Sequence, residues 1–223
     1  PARPDMDLDS SFKAIGVDLI AFDLERSEHH DLLDAALWTT IVTDIRARRF
    51  IAGIAAPPCS TFSGVRGAGN SCYGPQPLPG ETEPDIYGYK ELKQDDKVKV
   101  RQGTACALRA RDMALEFQRL GLPWVIETPA GQQGKPNVFK LPEFLDLRRE
   151  YDVEPQLSVQ CAYQSKFLKP TWWLANFAME WISGCPHPKQ GWIIPWSGEY
   201  VWASHPPIIG KQLAIEEHLW SPT

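Results

Sequence analysis

Cysteine, basic charge and long apolar runs are all in short supply in this 223-residue chain. The five cysteines, Cys59, Cys72, Cys106, Cys161 and Cys185, are odd in number and irregular in spacing. That pattern does not read as a disulfide framework, and a reducing, intracellular setting is the simpler expectation. Lys and Arg total 23 against 28 Asp and Glu, a net charge of −5 with a pI near 5.6. A protein held to nucleic acid mainly by non-specific phosphate contacts is usually basic, so any such site here has to be a local patch. No apolar run approaches a membrane span and no signal peptide is legible. Pro1 stands where Met would begin a gene product, so the sequence reads as an excerpt of a longer one. No internal repeat, low-complexity tract or linker interrupts it, and residues 1–223 are expected to form a single domain.

What is present is an alternation of strand-like and helix-like patterns. "VDLIAFDLE" (17–25) has a branched apolar centre and reads as a buried strand ending at Asp23. "DAALWTTIVTDIRARR" (34–49) places Leu37, Ile41 and Ile45 on one helical face. "FIAGIAA" (50–56) is a second short apolar strand of the kind a covered parallel sheet contains. Residues 64–103 lack clear periodicity and are long for a passive connection, so the stretch is either functional or disordered. "TACALRARDMALEFQRLG" (104–121) repeats Cys106, Ala110, Met113, Phe117 and Leu120 at helical steps, with Thr104 as N-cap and Gly121 as the C′ residue. "PWVIETP" (123–129) is a third strand. A helix at 141–149, a segment at 156–163 and a last helix at 210–220 follow. The expected architecture is α/β: a doubly wound, Rossmann-like sheet with helices on both faces. A small irregular or antiparallel Trp-rich subregion at 172–202 completes it.

In open parallel sheets ligands bind beyond the carboxyl ends of the strands. Asp23, Cys59 and Glu127 all stand at such ends. Pro57 and Pro58 cannot donate to a ladder, so they end the strand and stiffen its exit, presenting the Cys59 thiol at the sheet edge. Ser60, Thr61 and Ser63 are suited to a following turn, where free amides favour the nucleophilic thiolate. Glu127 is a carboxylate at the end of a buried strand, which marks it as functional.

These residues carry a resemblance. "PPCSTFS" (57–63) resembles the Pro-Cys loop of the DNA cytosine-5 methyltransferases, and "IETP" (126–129) is similar to that family's Glu-Asn-Val/Pro motif, with Thr128 in place of asparagine. Order and spacing agree as well. "HDLLD" (30–34) is similar to the segment whose Asp, here Asp31 followed by Leu32, contacts the cofactor adenine, and Asp23 matches the position that holds its ribose. The resemblance implies S-adenosylmethionine as cofactor, bound by Asp23, Asp31, Leu32 and Pro57. It implies Cys59 as the nucleophile that adds to C6 of cytosine and Glu127 as the residue that hydrogen-bonds N3 and the exocyclic amine. Pro58, Ser60, Phe62, Ser63, Arg66, Thr128, Pro129, Gln164 and Lys169 are implied as substrate contacts. DNA, duplex or single-stranded, is the implied partner, with the target base flipped out of a duplex. The resemblance also implies that 64–103 is a mobile catalytic or substrate loop closing over that base, with Arg66, Lys90, Lys93, Lys97, Lys99 and Arg101 as candidate phosphate contacts.

The chain departs from the family pattern in places. The family's glycine-containing first strand is not intact: "PARPDMDLDSSFKAIG" opens the chain, with residues 10–15 read as the end of the helix that follows it. In "CAYQSKFLKPTWWLANF" (161–177) Gln164 and Lys169 stand where the family has Gln-x-Arg-x-Arg. "ASHPPIIGKQLA" (203–214) falls where the family's last motif returns to the cofactor. Little chain remains for a target-recognition domain. RNA, a free nucleotide, or a non-catalytic nucleic-acid-binding or regulatory role therefore stay open beside DNA methylation. "CPHP" (185–188) invites a zinc reading with Cys161 or Cys72, but the spacing fits none of the common paired-ligand patterns, so no metal is expected. His29 and His30 read as surface residues, and Trp172 and Trp173 as packing against the sheet.

Overall fold

A computed structural model describes residues 8–62, 77–131, 135–163, 169–179, 184–193 and 200–205. It divides into two compact units, Pro1–Ile41 and Val42–Thr223. The described residues are mixed α/β, and no helix among them is long and apolar enough to cross a membrane.

In the first unit, helix α1 (Leu8–Ala14) buries no residue. The strand expected at 17–25 is not formed: residues 17–23 pair with no strand, and Ile20 and Leu24 are exposed. A turn takes its place. The Asp23 carboxylate accepts from the Glu25 amide at 2.8 Å, and the Asp23 carbonyl accepts from Arg26 and Ser27. Such local side-chain-to-backbone bonding competes with a ladder, and an apolar run without a partner strand has nothing to bury against. A 3-10 turn at Glu28–His30 follows, capped by Ser27. Helix α2 (Ala35–Arg46) starts where Asp34 Oδ1 accepts from the Leu37 amide at 2.7 Å, an N-cap bond.

The second unit is built on four strands: β1 (Gly53–Ala55), β2 (Trp124–Pro129), β3 (Gln156–Val159) and β4 (Pro170–Ala175). Their order is β1-β2-β4-β3. Only β1 and β2 are parallel; β4 is antiparallel to both β2 and β3. The sheet is thus mixed, where the apolar strand runs suggested an all-parallel one. Trp172 and Trp173, assigned from sequence to an irregular subregion, are interior to this sheet on β4. Further along, β5 (Gln190–Ile193) and β6 (Tyr200–Ala203) pair as a separate antiparallel ribbon. The helix expected at 210–220 lies outside the described residues.

Helix α3 (Gln94–Arg119) supplies the crossover between β1 and β2. It begins ten residues before Thr104, so Thr104 is interior and Lys93 is the N-cap. Its buried stripe is Val100, Gly103, Ala107, Ala110, Ala114 and Phe117. This is a narrow seam of mostly small side chains, rotated from the expected one, leaving Cys106 and Met113 half-buried. The seam lets helix and sheet approach closely. A Cβ on Gly53 would lie 2.6 Å from Phe117 Cε2, inside contact distance. At the C-terminus Gly121 has φ +67° as expected for C′. The Leu122 amide bonds the Phe117 carbonyl and the Gly121 amide that of Gln118, a Schellman ending. Trp124 is then locked: its indole donates to Gln118 Oε1 at 2.9 Å, and Asn176 bonds the Trp124 amide, Gln118 and the Leu122 carbonyl. Helix α4 (Pro142–Tyr151), with Pro at its start, adds Phe144 and Leu147 to the core.

One ion cluster sits on the outer side of α3. Arg46 grips Glu116 through two bonds of 2.7 and 2.8 Å, and Arg119 adds a third at 2.8 Å. The Arg46 hydrogen bond holds the Glu116 carboxyl below its ordinary range; burial opposes this, and the charges of Arg46 and Arg119 reinforce it. A depressed carboxyl contributes stability above its unfolded pKa of about 4.5, and that contribution is lost as pH falls through the folded value. We expect Glu116→Gln to be less stable than the parent at pH 7 in urea unfolding. The gap should narrow as the pH is taken below about 4.5; a gap that is constant with pH would contradict the assignment.

Candidate active site

The loop after β1 is held at its far side. Thr61 and Phe62 are each only 2% exposed, whereas Cys59 is half-buried and Ser60 exposed. The Phe62 amide donates to the Cys59 carbonyl at 3.1 Å, and the Thr61 hydroxyl donates to the Lys99 carbonyl of α3 at 3.4 Å. Gly103 makes this seat: a Cβ there would stand 2.7 Å from Thr61 Oγ1. Two prolines before the thiol and two buried residues after it fix the loop on both sides of Cys59.

On β2, Glu127 lies opposite Trp173 of β4. Its Oε1 is buried with no hydrogen-bond partner among the described residues. The nearest countercharge is Lys169 Nζ at 3.8 Å, an ion pair beyond hydrogen-bond reach. Leaving a buried carboxylate oxygen unbonded costs about 1–3 kcal/mol or more, which is tolerable where a ligand completes it. Thr128 is buried, and the backbone beyond it is pinned. Asn137 Nδ2 donates to the Pro129 carbonyl at 3.1 Å, and the Ala130 amide donates to Pro170. Asn137, buried and also bonded to the Phe139 amide, is a positioning residue that sequence reading missed. Its one local signal is an Asn directly before the short turn Val138–Lys140, where it serves as the N-cap. Trp172 stacks on Phe139 and Trp173 donates to Ser158 Oγ, so both indoles serve the sheet.

Cys59 and Glu127 leave the same sheet edge. β1 and β2 are neighbours running in one direction, with Ala55 opposite Ile126. Glu127 is therefore the next residue along β2, and the Pro57-Pro58-Cys59 segment issues from the end of β1 beside it. Lys169 stands beside Glu127 through its ion pair. Of the other expected contacts, Pro57 is half-buried, Pro58 exposed and Phe62 buried. Ser63, Arg66 and Gln164 lie outside the described residues. The expected mobile loop is partly helix: Lys97, Lys99 and Arg101 are exposed on the first turns of α3, and Lys99 pairs with Asp96 at 3.0 Å. Lys90 and Lys93 are also exposed.

In the first unit, Asp23 and Asp31 share one folded-back stretch. The Asp23 amide reaches His30 Nδ1 at 3.5 Å, Phe22 and His30 meet edge-to-face, and Asp31 Oδ1 accepts from the Leu33 amide at 2.9 Å. Asp23 is exposed and Leu32 half-buried.

A second constellation forms around "CPHP" and Cys161, which their spacing had set aside as a metal site, and it is joined by His205. Cys161, Cys185, His187 and His205 place one ligand atom each within 4.8 Å of the others. They come from three separate segments of chain, which is why a search for paired ligands on one turn passes over them. Comparison with family models, with curated proteins and with solved structures finds no match to this chain.

The seat of the Cys59 loop yields a test. Gly103→Ala is expected to cost about 1–3 kcal/mol in urea unfolding, as overpacking does. It should also change the alkylation rate of Cys59, read by peptide mass spectrometry. Unaltered stability and reactivity would mean that Gly103 does not hold the loop.

Proposed function

We propose that the protein transfers a methyl group to C5 of cytosine in DNA, using Cys59 as nucleophile and Glu127 as the group that orients the base. The observation that carries this reading is the parallel pairing of β1 with β2, which sends the Pro-Pro-Cys loop and a carboxylate with an unbonded oxygen off one edge. On this reading β1–α3–β2 is the core of a Rossmann-like methyltransferase sheet.

The chemistry of the residues follows in order. The Cys59 thiolate forms a bond to C6 of the pyrimidine, moving electron density onto C5. Glu127 hydrogen-bonds the base at N3 and the exocyclic amine, replacing the contact its Oε1 lacks, and Lys169 steadies the carboxylate. After methylation C5 loses its proton, and elimination returns the sulfur as thiolate. The donor set of the first unit suits S-adenosylmethionine. The Asp23 and Asp31 carboxylates are each anchored through Oδ1 to a backbone amide, a pose suited to accepting from ribose hydroxyls and an adenine amine. When bound, that cofactor supplies an electrophilic methyl group. A base inside a duplex has to be flipped out to expose C6, and the exposed Lys97, Lys99 and Arg101 suit phosphate contact.

The turn at Asp23 in place of a strand favours a second reading, a non-catalytic nucleic-acid-binding relative. A trapping experiment separates the two. With an oligonucleotide carrying 5-fluorocytosine and S-adenosylmethionine, the first reading expects a denaturant-resistant adduct, absent in Cys59→Ala and reduced at least about 100-fold in rate in Glu127→Gln. Calorimetric affinity for S-adenosylmethionine should fall in Asp23→Ala. Oligonucleotide binding without adduct or cofactor binding would select the second reading, and an adduct on RNA or a free nucleotide alone would replace the substrate.

A further inference from the structure

The cluster of Cys161, Cys185, His187 and His205 has the dimensions of a coordination sphere. Cys185 Sγ lies 3.6 Å from His187 Nδ1 and 3.4 Å from His205 Nε2, and the two imidazole nitrogens are 3.2 Å apart. With Zn–S near 2.3 Å and Zn–N near 2.0–2.1 Å, a tetrahedral ion holds its ligand atoms about 3.3–3.8 Å apart. The three measured edges match that range to within about 0.1 Å. The longest separation in the set, 4.8 Å, involves Cys161 and exceeds a tetrahedral edge, so its sulfur has to move inward to close the sphere; both cysteines are free thiols. Two sulfurs and two imidazoles suit zinc above the hard cations, and four protein ligands leave no open position for catalysis.

The location gives the cluster a purpose. Cys161 sits in the 3-10 turn immediately after β3, Cys185 and His187 in the segment leading into β5, and His205 just beyond β6. The β5–β6 ribbon has strands of four residues each and forms a sheet of its own. Tyr200 and Trp202 on β6 are largely exposed. An isolated two-stranded ribbon is marginal in water, and one with its large side chains outside gains little from burial. We propose that Cys161, Cys185, His187 and His205 bind one zinc ion as a closed structural site that fastens the β5–β6 ribbon to the end of β3.

This proposal stands apart from methyl transfer, and either can fail alone. The test uses the full chain purified without chelator. Elemental analysis should give one zinc per chain, falling to below about a tenth of that in Cys185→Ala and His205→Ala, since a closed set bound through all its ligands does not survive loss of one. Cys106→Ser, which removes a thiol outside the cluster, should keep its zinc. Because the ligand variants can fail to fold, the parent protein supplies an independent reading. After zinc removal, Co²⁺ alone should give ligand-field bands of tetrahedral intensity and a thiolate-to-cobalt charge-transfer band. A parent chain without stoichiometric metal, an octahedral cobalt spectrum, or a Cys161–Cys185 disulfide in its place would overturn the proposal.

Discussion

The parallel contact between β1 and β2 is the constraint on which the candidate site depends. Three residue pairs define it, from Gly53 opposite Trp124 to Ala55 opposite Ile126. So short a ladder is not self-sufficient. It is held by α3, whose Phe117 presses on Gly53 so closely that no side chain fits there, and by Trp124, fixed through Gln118 and Asn176. The crossover helix that a parallel pair requires is thus also the clamp that keeps the pair aligned. The same helix reaches the loop after β1 through Gly103 and Thr61. One element sets strand register at its C-terminal end and the pose of the Cys59 loop at its N-terminal half.

Polar groups around the edge follow from that placement. The Pro129 carbonyl and the Ala130 amide are satisfied by Asn137 and Pro170, while Oε1 of Glu127 itself is left without a hydrogen bond among the described residues. A pinned backbone with one unsatisfied acceptor is the arrangement expected where a ligand supplies the missing donor. Lys169 keeps the charge tolerable without occupying the hydrogen-bonding position.

Much of this was legible locally. The apolar run at 50–56, the proline pair before Cys59 and the run "WVI" before Glu127 each mark a strand end by composition, and Gly121 marks a helix end through its positive φ. Sequence reading failed where partners at a distance decide. Residues 94–103 looked like loop because charges crowd the solvent face; Asp95 and Asp96 in the first turn and buried Val100 and Gly103 were the helix signal beneath them. "VDLIAFDLE" has strand composition, yet the Asp23 turn prevails and its apolar residues remain exposed. Nothing local announces that β4 inserts antiparallel beside β2, because that choice rests on Trp173 meeting Glu127 and Ser158 across strands. Of the Cys/His cluster, Cys161, Cys185 and His187 were in view and set aside for their spacing; His205 and the assembly from three segments appear only in the fold.

Methyl transfer as proposed requires Cys59 and the side chain of residue 127 to face one another across a gap the size of a single pyrimidine. The most direct measurement is a crosslink between them. In a Glu127→Cys variant, a short rigid bis-electrophile spanning about one aromatic ring should join positions 59 and 127, identified by peptide mass spectrometry, because neighbouring parallel strands lie about 4.8 Å apart and deliver both thiols to one edge. If both thiols are modified singly and no 59–127 bridge forms, the two groups do not share a slot and the account fails.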